Sequence, residues 1–337
     1  MSEPPSDPPP AVRGGLVRDP LNGGWTVIAP RREARPHDTP EPGGRTAGDT
    51  PDDPSGDCPF CEGHEALTPP ELYALRPPGM PPDGPGWKVR VVPNKFPVFE
   101  GGHEVVVHSP RHDVPLHAQP VGEVADVVAT YQRRVATLCA GGAAAVTVIL
   151  NHGRAAGASL AHPHSQIFAT PIVPPVLVSE LEQFARYRVK YDRCLLCDAV
   201  RAAADEGSRL VFDGPVVAWA PGASRWPYEV RLAPRAHEPD FLRAEPEAVA
   251  VALKRALSAI ATTTGDAPLN AWLHTVPCRP DTPEHGDPVQ PFHWHIEVAP
   301  RLTTLAGFEL GTGIAIDTVE PREAAARLRA ALPDSVS

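Results

Sequence analysis

Two long segments of the chain carry the helical pattern of apolar residues, with apolar side chains returning every three or four positions. They are 121–140 (VGEVADVVATYQRRVATLCA) and 245–264 (EPEAVAVALKRALSAIATTT). Each is followed by an apolar stretch with strand character, AVTVILN at 145–151 and LNAWLHT at 269–275. A helix followed by a buried strand therefore occurs twice, which indicates a repeated unit.

Residues with reactive side chains recur in the same order around these elements. Each unit has a C-x-x-C pair, a Glu-Val pair with a His eight residues after the Glu, the helix, the strand and an H-x-H pair. From the first Cys to the first His of H-x-H is 104 residues in one unit and 99 in the other. We expect an α+β fold made by tandem duplication, with antiparallel sheets and packed helices.

The predicted organisation has a disordered N-terminus at 1–15 and two domains, at 16–175 and 176–333. The Pro- and Gly-rich stretches at 36–57 and 77–86 are expected to be mobile loops. An Asn22-Gly23 turn followed by WTVIA predicts a hairpin that brings Arg31, Arg32 and Arg35 to one edge.

Charge and hydropathy exclude several classes of protein. The net charge of −10 argues against a general nucleic-acid binder. No apolar run reaches the roughly 20 residues of a membrane helix, and the N-terminus lacks the pattern of a signal peptide. We therefore expect a cytoplasmic protein without a membrane partner.

Four of the six cysteines form the two C-x-x-C pairs, which suits zinc with its roughly four tetrahedral ligands. The first predicted site is Cys58, Cys61, His112 and His162, and the second is Cys194, Cys197, His237 and His293. A redox dithiol would start a helix in a βαβ unit, and neither flank has that pattern. Cys139 and Cys278 are expected to be packed in the core. Filled ligand sets predict structural metal; for Glu180 and Glu182 a solvated helix surface is expected rather than a metal site.

The first H-x-H pair follows a strand and a Gly-rich loop that can approach a phosphate. Alternate positions on a strand project to one face, so His162 can bind metal while His164 stands free beside it. A neutral imidazole can attack an α-phosphorus and hold the nucleotidyl group as a phosphoramidate. An amide such as that of Gln166 can hydrogen-bond the phosphoryl oxygens.

The full motif N-x-G-x-x-x-G-x-S-x-x-H-P-H-S-Q at 151–166 resembles the active-site signature of galactose-1-phosphate uridylyltransferases, a branch of the histidine-triad superfamily. The resemblance continues through DPLNGGWTVIAPRREARP, VVPNKFP and GFELGTG. It implies transfer of UMP from UDP-glucose to galactose 1-phosphate, zinc with the option of iron at the second site, and a homodimer. It also implies roles for individual residues: His164 as nucleophile, His162 as zinc ligand, Gln166 on the phosphoryl group, Arg32, Arg35, Asn94, Asn151 and Ser159 on the nucleotide side, and Gly307 and Glu309 on the sugar-phosphate side.

Two departures leave the substrates open. Bacterial uridylyltransferases carry a lysine and a glutamine where this chain has Thr303 and Ala315, and GFELGTG is similar to the branch that includes ADP-glucose phosphorylases. An adenylyl-sugar phosphorylase is therefore an alternative, and a non-catalytic zinc-stabilised nucleotide-binding protein is another. In the second unit the Gly-rich loop is missing and Glu297 replaces Gln166, so we expect one chemical centre.

Overall fold

The computed structural model describes residues 15–18, 25–29, 58–278 and 291–333. These residues form a mixed α/β fold with antiparallel sheets and packed helices. The strands are β1 Gly15–Arg18, β2 Trp25–Ile28, β3 Tyr73–Leu75, β4 Val89–Pro93, β5 His103–Val107, β6 Ala145–His152, β7 His164–Thr170, β8 Leu210–Phe212, β9 Val216–Trp219, β10 Val230–Pro234, β11 Leu269–His274 and β12 His295–Pro300. The helices are α1 Val121–Ala140, α2 Pro175–Tyr191, α3 Leu195–Glu206, α4 Pro246–Thr264, α5 Gly307–Thr312 and α6 Pro321–Ala330.

Ten strands form one antiparallel sheet in the order β3-β4-β5-β7-β6-β11-β12-β10-β9-β8. The first five belong to the first sequence unit and the last five to the second. The units meet where β6 pairs with β11, with Asn151 opposite Asn270. The sheet thus runs without a break across the predicted domain boundary at residue 175, and the five strands on either side follow one another in the same relative order.

The two predicted helices are confirmed as α1 and α4. The chain before α1 is extended at Pro120, and α4 has Pro246 in its first turn, where the missing N–H costs nothing. Gly265 ends α4 with a φ of +70°, a conformation that a side chain would disfavour. Apolar residues of α1, α4 and α6 share one core with one face of the sheet, whereas α2 and α3 pack in a separate core with residues such as Phe292.

The N-terminal hairpin is confirmed in its strands. β1 pairs with β2 in an antiparallel register that places Arg18 opposite Trp25. The predicted turn at 22–23, the arginines at 31, 32 and 35 and the loop at 36–57 lie outside the described residues. Among the described helices, none combines the length and the apolar character needed to cross a membrane.

Cys139 and Cys278 are partly buried against the main core, as predicted, but they are not isolated, because they form a disulfide with their Cα atoms 5.0 Å apart. Cys139 lies in the last turn of α1, and Cys278 follows β11. The Cys278 N–H donates to the carbonyl oxygen of Ala144 at 2.9 Å, which brings the two segments together. The bond therefore joins the first sequence unit to the second.

Candidate active site and metal centres

The predicted nucleophile His164 begins strand β7, in the interior of the sheet between β5 and β6. Its side chain is 6% exposed, and its ring meets the ring of Phe60 edge-on at 5.3 Å between centroids. The Nδ1 atom of His164 lies 2.8 Å from the carbonyl oxygen of His162. A carbonyl oxygen only accepts, so Nδ1 carries the ring hydrogen of the neutral imidazole and Nε2 carries the ring lone pair.

Gln166 lies two residues along the same face and is oriented by His103 of β5. The backbone N–H of Val98 donates to His103 Nδ1 at 3.1 Å, so neutral His103 carries its hydrogen on Nε2. His103 Nε2 is 2.8 Å from Gln166 Oε1 and donates to it. Because the amide oxygen of Gln166 is engaged in this way, its NH₂ group is the end that can donate to a substrate oxygen. Asn94 Nδ2 lies 3.4 Å from the same oxygen.

The sequence did not predict a role for His103. In GGHEVVV this histidine has no motif around it, and its contact with Gln166 spans 63 residues. Only the pairing of β5 with β7, which places His103 opposite Phe168 and Val105 opposite Gln166, brings the two side chains to one face. The strand pattern of the sequence was the available signal, but the register of the strands was not.

A cavity of about 330 Å³ opens beside His164 and Gln166. Its walls are largely apolar, and its polar groups are few, which is the usual character of a small-molecule site. The residues that line it include Phe60, Asn94, Phe96, Ser159 and His164. The structure therefore brings Asn94, Ser159, His164 and Gln166 together around one space.

The Gly-rich loop before His162 is shaped by two glycines with positive φ, Gly153 at +76° and Gly157 at +86°. A Cβ atom on Gly153 would lie 3.0 Å from the ring of Pro268, so this position tolerates no side chain without movement. Asn151 stands at the start of the loop, where its Oδ1 accepts a hydrogen bond from Asn270 Nδ2 at 2.8 Å. A residue of the second unit thus holds the predicted phosphate-binding loop.

The first predicted metal ligands come together in the structure. Cys58, Cys61, His112 and His162 place their ligand atoms within 4.8 Å of one another. The distances from sulfur to Nδ1 are 3.3 to 3.7 Å, close to the edge of about 3.6 Å of a tetrahedron with zinc–sulfur and zinc–nitrogen bonds. Burial raises the pKa of the Cys58 thiol to about 11, because it disfavours the charged thiolate. His162 Nε2 donates to the carbonyl oxygen of Ser109 at 2.8 Å, which leaves Nδ1 free to bind metal.

The second set, Cys194, Cys197, His237 and His293, has the same arrangement. Its sulfur-to-Nδ1 distances are 3.4 to 3.8 Å, and His293 Nε2 donates to the carbonyl oxygen of Pro234 at 3.0 Å. A hydrogen bond from the Cys197 side chain lowers the pKa of Cys194, and the same bond raises the pKa of Cys197. Both donor sets fit zinc.

One expectation about the second pair is wrong. Cys194 is the N-cap of α3, and its sulfur accepts the Cys197 N–H at 3.5 Å, so this C-x-x-C does start a helix. The Ala-rich sequence after Cys197 favours that helix. The two thiols are still better suited to metal than to redox chemistry, because two histidines complete the group around the sulfurs.

The expectation for Glu180 is also wrong, whereas Glu182 is exposed on α2 as predicted. Glu180 is 23% exposed in its side chain, and its carboxylate lies 2.9 Å from His274 Nδ1 and 3.7 Å from His295 Nε2. Burial alone would raise its pKa, but hydrogen bonds with the two histidines lower it to about 2. The three side chains form a further group whose ligand atoms lie within 4.8 Å. Glu180 is at least 94 positions from either histidine, so the local sequence gave no signal for this group.

In the second unit, Glu297 stands in the position that Gln166 has in the first unit. Glu297, two residues after His295, is buried and paired with Arg225 and with Arg231, the latter at 2.6 Å. The guanidinium of Arg225 also stacks over Trp272 at 5.4 Å. Two arginines therefore pair with the carboxylate of Glu297, where the first unit has the uncharged amide of Gln166.

The remaining predicted residues are not placed at this cavity. Gly307 and Glu309 lie on α5, where Gly307 is exposed and Glu309 is half-buried and accepts the Ala306 N–H at 3.1 Å. Within the described residues neither lines the space at His164. Arg32 and Arg35 lie outside the described residues.

The chain resembles known proteins over nearly its whole length. The family model described as galactose-1-phosphate uridyl transferase, N-terminal domain, matches residues 95–174. An ADP-glucose phosphorylase of Arabidopsis thaliana is 31% identical, over 93% of this chain and 92% of that protein. A galactose-1-phosphate uridylyltransferase of Thermotoga maritima is 27% identical, over 93% of this chain and 97% of that protein.

A crystal structure of an Arabidopsis thaliana ADP-glucose phosphorylase with bound ADP-glucose superimposes with a TM-score of 0.72 at 29% identity, over 93% of this chain and 97% of that one. The fold and the site together define a protein of the histidine-triad superfamily. Within it, the chain belongs to the galactose-1-phosphate uridylyltransferase family.

Proposed function

We propose that this protein is a nucleotidylyltransferase that takes a nucleoside monophosphate from a nucleotide sugar onto His164 and passes it to a phosphate-bearing acceptor. The observation that carries the proposal is the hydrogen bond from His164 Nδ1 to the His162 carbonyl oxygen beside the cavity. It directs the Nε2 lone pair away from the strand, where a nucleophile is needed.

The reaction balances in two displacements. In the first, His164 Nε2 bonds to the α-phosphorus, and the bond from that phosphorus to the sugar-phosphate oxygen breaks with release of the sugar 1-phosphate. In the second, an oxygen of the acceptor phosphate attacks the same phosphorus and the phosphorus–nitrogen bond breaks. The NH₂ group of Gln166 would donate to the phosphoryl oxygens as their charge changes, with Ser159 and Asn151 on the loop side.

Zinc is the proposed metal at both Cys₂His₂ groups, and the second group is also a candidate for iron. A bound metal there would supply structural cross-links, because four protein ligands leave it no position for substrate. The ligand His162 is adjacent to Pro163 and His164. We therefore assign the first metal the task of fixing the chain from which the nucleophile projects.

The first substrate pair proposed is UDP-glucose and galactose 1-phosphate, which would place the protein in galactose metabolism. Its support is the H-P-H-S-Q motif and the family to which the chain belongs. The second candidate pair is an adenylyl sugar, ADP-glucose, with inorganic phosphate. The 31% identity to an ADP-glucose phosphorylase and the Thr303 and Ala315 positions favour it.

We also propose that the two units arose by duplication and that the protein forms a homodimer. Two units with the same strand order and the same Cys₂His₂ geometry support a tandem duplication, with domains at 16–175 and 176–333. A homodimer is supported by the exposed apolar side chains of the segment 302–316, among them Phe308 at 51% and Leu310 at 72% exposure, which suit contact with another protein surface. We propose a cytoplasmic location, as the sequence predicts.

The test is a single-turnover burst. Stoichiometric enzyme is mixed with UDP-glucose or ADP-glucose without acceptor, and the released glucose 1-phosphate is counted. Release near one per active site, with the nucleotidyl group trapped on His164 by mass spectrometry, supports the proposal and names the base. Galactose 1-phosphate and inorganic phosphate are then added separately to the trapped intermediate. Absence of a burst with both donors would favour the non-catalytic nucleotide-binding alternative.

A further inference from the structure

The residue between the nucleophile and Gln166 belongs to a buried polar group on the other face of the sheet. Successive strand residues point to opposite faces, so Ser165 projects toward helix α1. Ser165 Oγ lies 2.8 Å from His108 Nε2 and 2.6 Å from the hydroxyl of Tyr131, and that hydroxyl lies 3.1 Å from His108 Nε2. We name these three side chains the rear network. All three are at most 7% exposed.

The same stretch of chain holds the H-P-H segment at two further points. The backbone N–H of His108 donates to the carbonyl oxygen of Pro163 at 3.1 Å. The carbonyl oxygen of Ser109 accepts from His162 Nε2 at 2.8 Å. Residues 108 and 109 therefore contact three of the four residues 162–165. The ring of His164 lies on the opposite face from Ser165, where it lines the cavity.

We propose that the rear network positions His164 for reaction by fixing strand β7 from behind. This inference rests on the proposed function of His164 as the nucleophile. Ser165 lies between His164 and Gln166 in strand β7. A shift of Ser165 therefore moves both the attacking nitrogen of His164 and the phosphoryl-binding amide of Gln166. A misplacement of about 1 Å in such a group can cost about 10²-fold in rate. His108, Tyr131 and Ser165 touch no substrate and act as positioning residues.

The rear network affects the position of His164 and not the charge around it. Burial lowers the pKa of His108 well below its usual value, and burial raises the pKa of Tyr131. Both groups are consequently neutral near pH 7, and none of the three side chains carries a charge toward the cavity. The proposed effect is therefore on the rate of the chemical step and not on the electrostatic binding of the nucleotide.

The test uses Tyr131→Phe, which removes one hydroxyl from a buried ring, and Ser165→Ala. With the donor that gives a burst in the unchanged chain, each variant should form the nucleotidyl-histidine at least about tenfold more slowly in a single turnover. The dissociation constant for the donor should stay within about threefold, since the cavity walls are untouched. The double variant should be about as slow as the slower single variant, because both substitutions break one network.

Thr130→Val is the matched control. Thr130 is also buried on α1, and within the described residues its hydroxyl bonds inside the helix, to the Asp126 carbonyl oxygen at 2.8 Å. It should keep the single-turnover rate within about twofold, even if its thermal stability falls as far as that of Tyr131→Phe. Zinc content and melting temperature are measured for every variant.

The inference would be overturned if Tyr131→Phe and Ser165→Ala kept the unchanged rate, or if Thr130→Val slowed the reaction equally. Loss of donor affinity with an unchanged rate constant would also overturn it. A failure of the proposed function would look different, because the unchanged chain itself would then form no nucleotidyl-histidine.

Discussion

His162 contacts His164 through its backbone and the first metal centre through its ring. Its carbonyl oxygen lies 2.8 Å from His164 Nδ1, while its own Nδ1 faces Cys58 and Cys61 at 3.7 and 3.6 Å. His162 thus belongs to the first Cys₂His₂ group and also orients the ring of the proposed nucleophile. Changes at the metal centre should therefore reach the chemistry, whereas changes at the nucleophile should leave the metal in place.

Replacement of the nucleophile tests the second half of that statement. His164→Asn should abolish nucleotidyl exchange and the burst of glucose 1-phosphate, because an amide nitrogen is not nucleophilic, while zinc content stays unchanged. The same substitution at the equivalent place in the second unit, His295→Asn, should preserve the burst. Exchange that persists in His164→Asn would remove this residue from the mechanism.

Replacement of a metal ligand tests the first half. His162→Ala should lower zinc from about two to about one per chain, and with it thermal stability and burst rate. His293→Ala, the corresponding change in the second unit, should lose a similar amount of zinc but affect the burst less. Metal analysis and a melting curve of each purified variant provide the measurement. Full zinc occupancy in His162→Ala would refute the ligand assignment.

Gln166→Glu isolates the effect of charge at the active site. A glutamate can still accept the hydrogen bond from His103 Nε2, which holds the glutamine oxygen at 2.8 Å. It loses the NH₂ donor and adds a negative charge beside the incoming phosphate, so the burst rate should fall by about 10²-fold or more. Stopped reactions over milliseconds to minutes measure this rate, and a variant within threefold of the unchanged chain would contradict the assigned role.

The disulfide between Cys139 and Cys278 should contribute measurably to stability. It closes a loop of 139 residues, and loss of such a cross-link typically costs about 2–5 kcal/mol. Urea unfolding of the Cys139→Ser variant should show this loss, and a reductant should lower the stability of the unchanged chain but not of the variant. Zinc is quantified in parallel, so that a loss of stability caused by loss of metal is not attributed to reduction of the disulfide. Equal unfolding midpoints would show that the bond is absent or without effect.

The buried carboxylate of Glu297 makes a prediction about pH. Burial alone favours its neutral form, but Arg231 and Arg225 outweigh burial and hold its pKa below the usual value. Such a group adds stability that is present above its unfolded pKa of about 4.3 and lost as pH falls through the lower folded value. Glu297→Gln should therefore be less stable than the unchanged chain at pH 6, and the gap should narrow below about pH 4.

Acid unfolding followed by fluorescence measures that gap, with Glu247→Gln on the exposed surface of α4 as the control. The control should run parallel to the unchanged chain at every pH. A gap between Glu297→Gln and the unchanged chain that widened with acid would show that the sign of the pKa shift is opposite.

Features encoded by local periodicity were predictable from the sequence. Helices α1 and α4 begin and end within a residue of the predicted segments because Pro and Gly mark their ends. The two Cys₂His₂ groups were also predictable, because the same four ligand types recur at nearly the same separation in each unit. The duplicated pattern supplied information that neither C-x-x-C pair contains alone.

Features that depend on strand register and on distant contacts were not predictable. His103 reaches Gln166 only through the pairing of β5 with β7, and Glu180 reaches His274 across 94 residues. Cys139 and Cys278 are joined because β6 and β11 bring their neighbourhoods together, which a single sequence does not reveal. The cavity itself combines side chains from four separate stretches of the chain.

The pairing of β6 with β11 has a consequence for any attempt to divide the protein. If the first unit were produced alone, residues 148–152 of β6 would face solvent with their backbone N–H and C=O groups unpaired. An apolar edge strand of this kind readily recruits another strand, so a fragment should self-associate through that edge. The second unit is thus a permanent strand partner of the unit that holds His164, and neither unit can be removed without exposing an edge strand of the other.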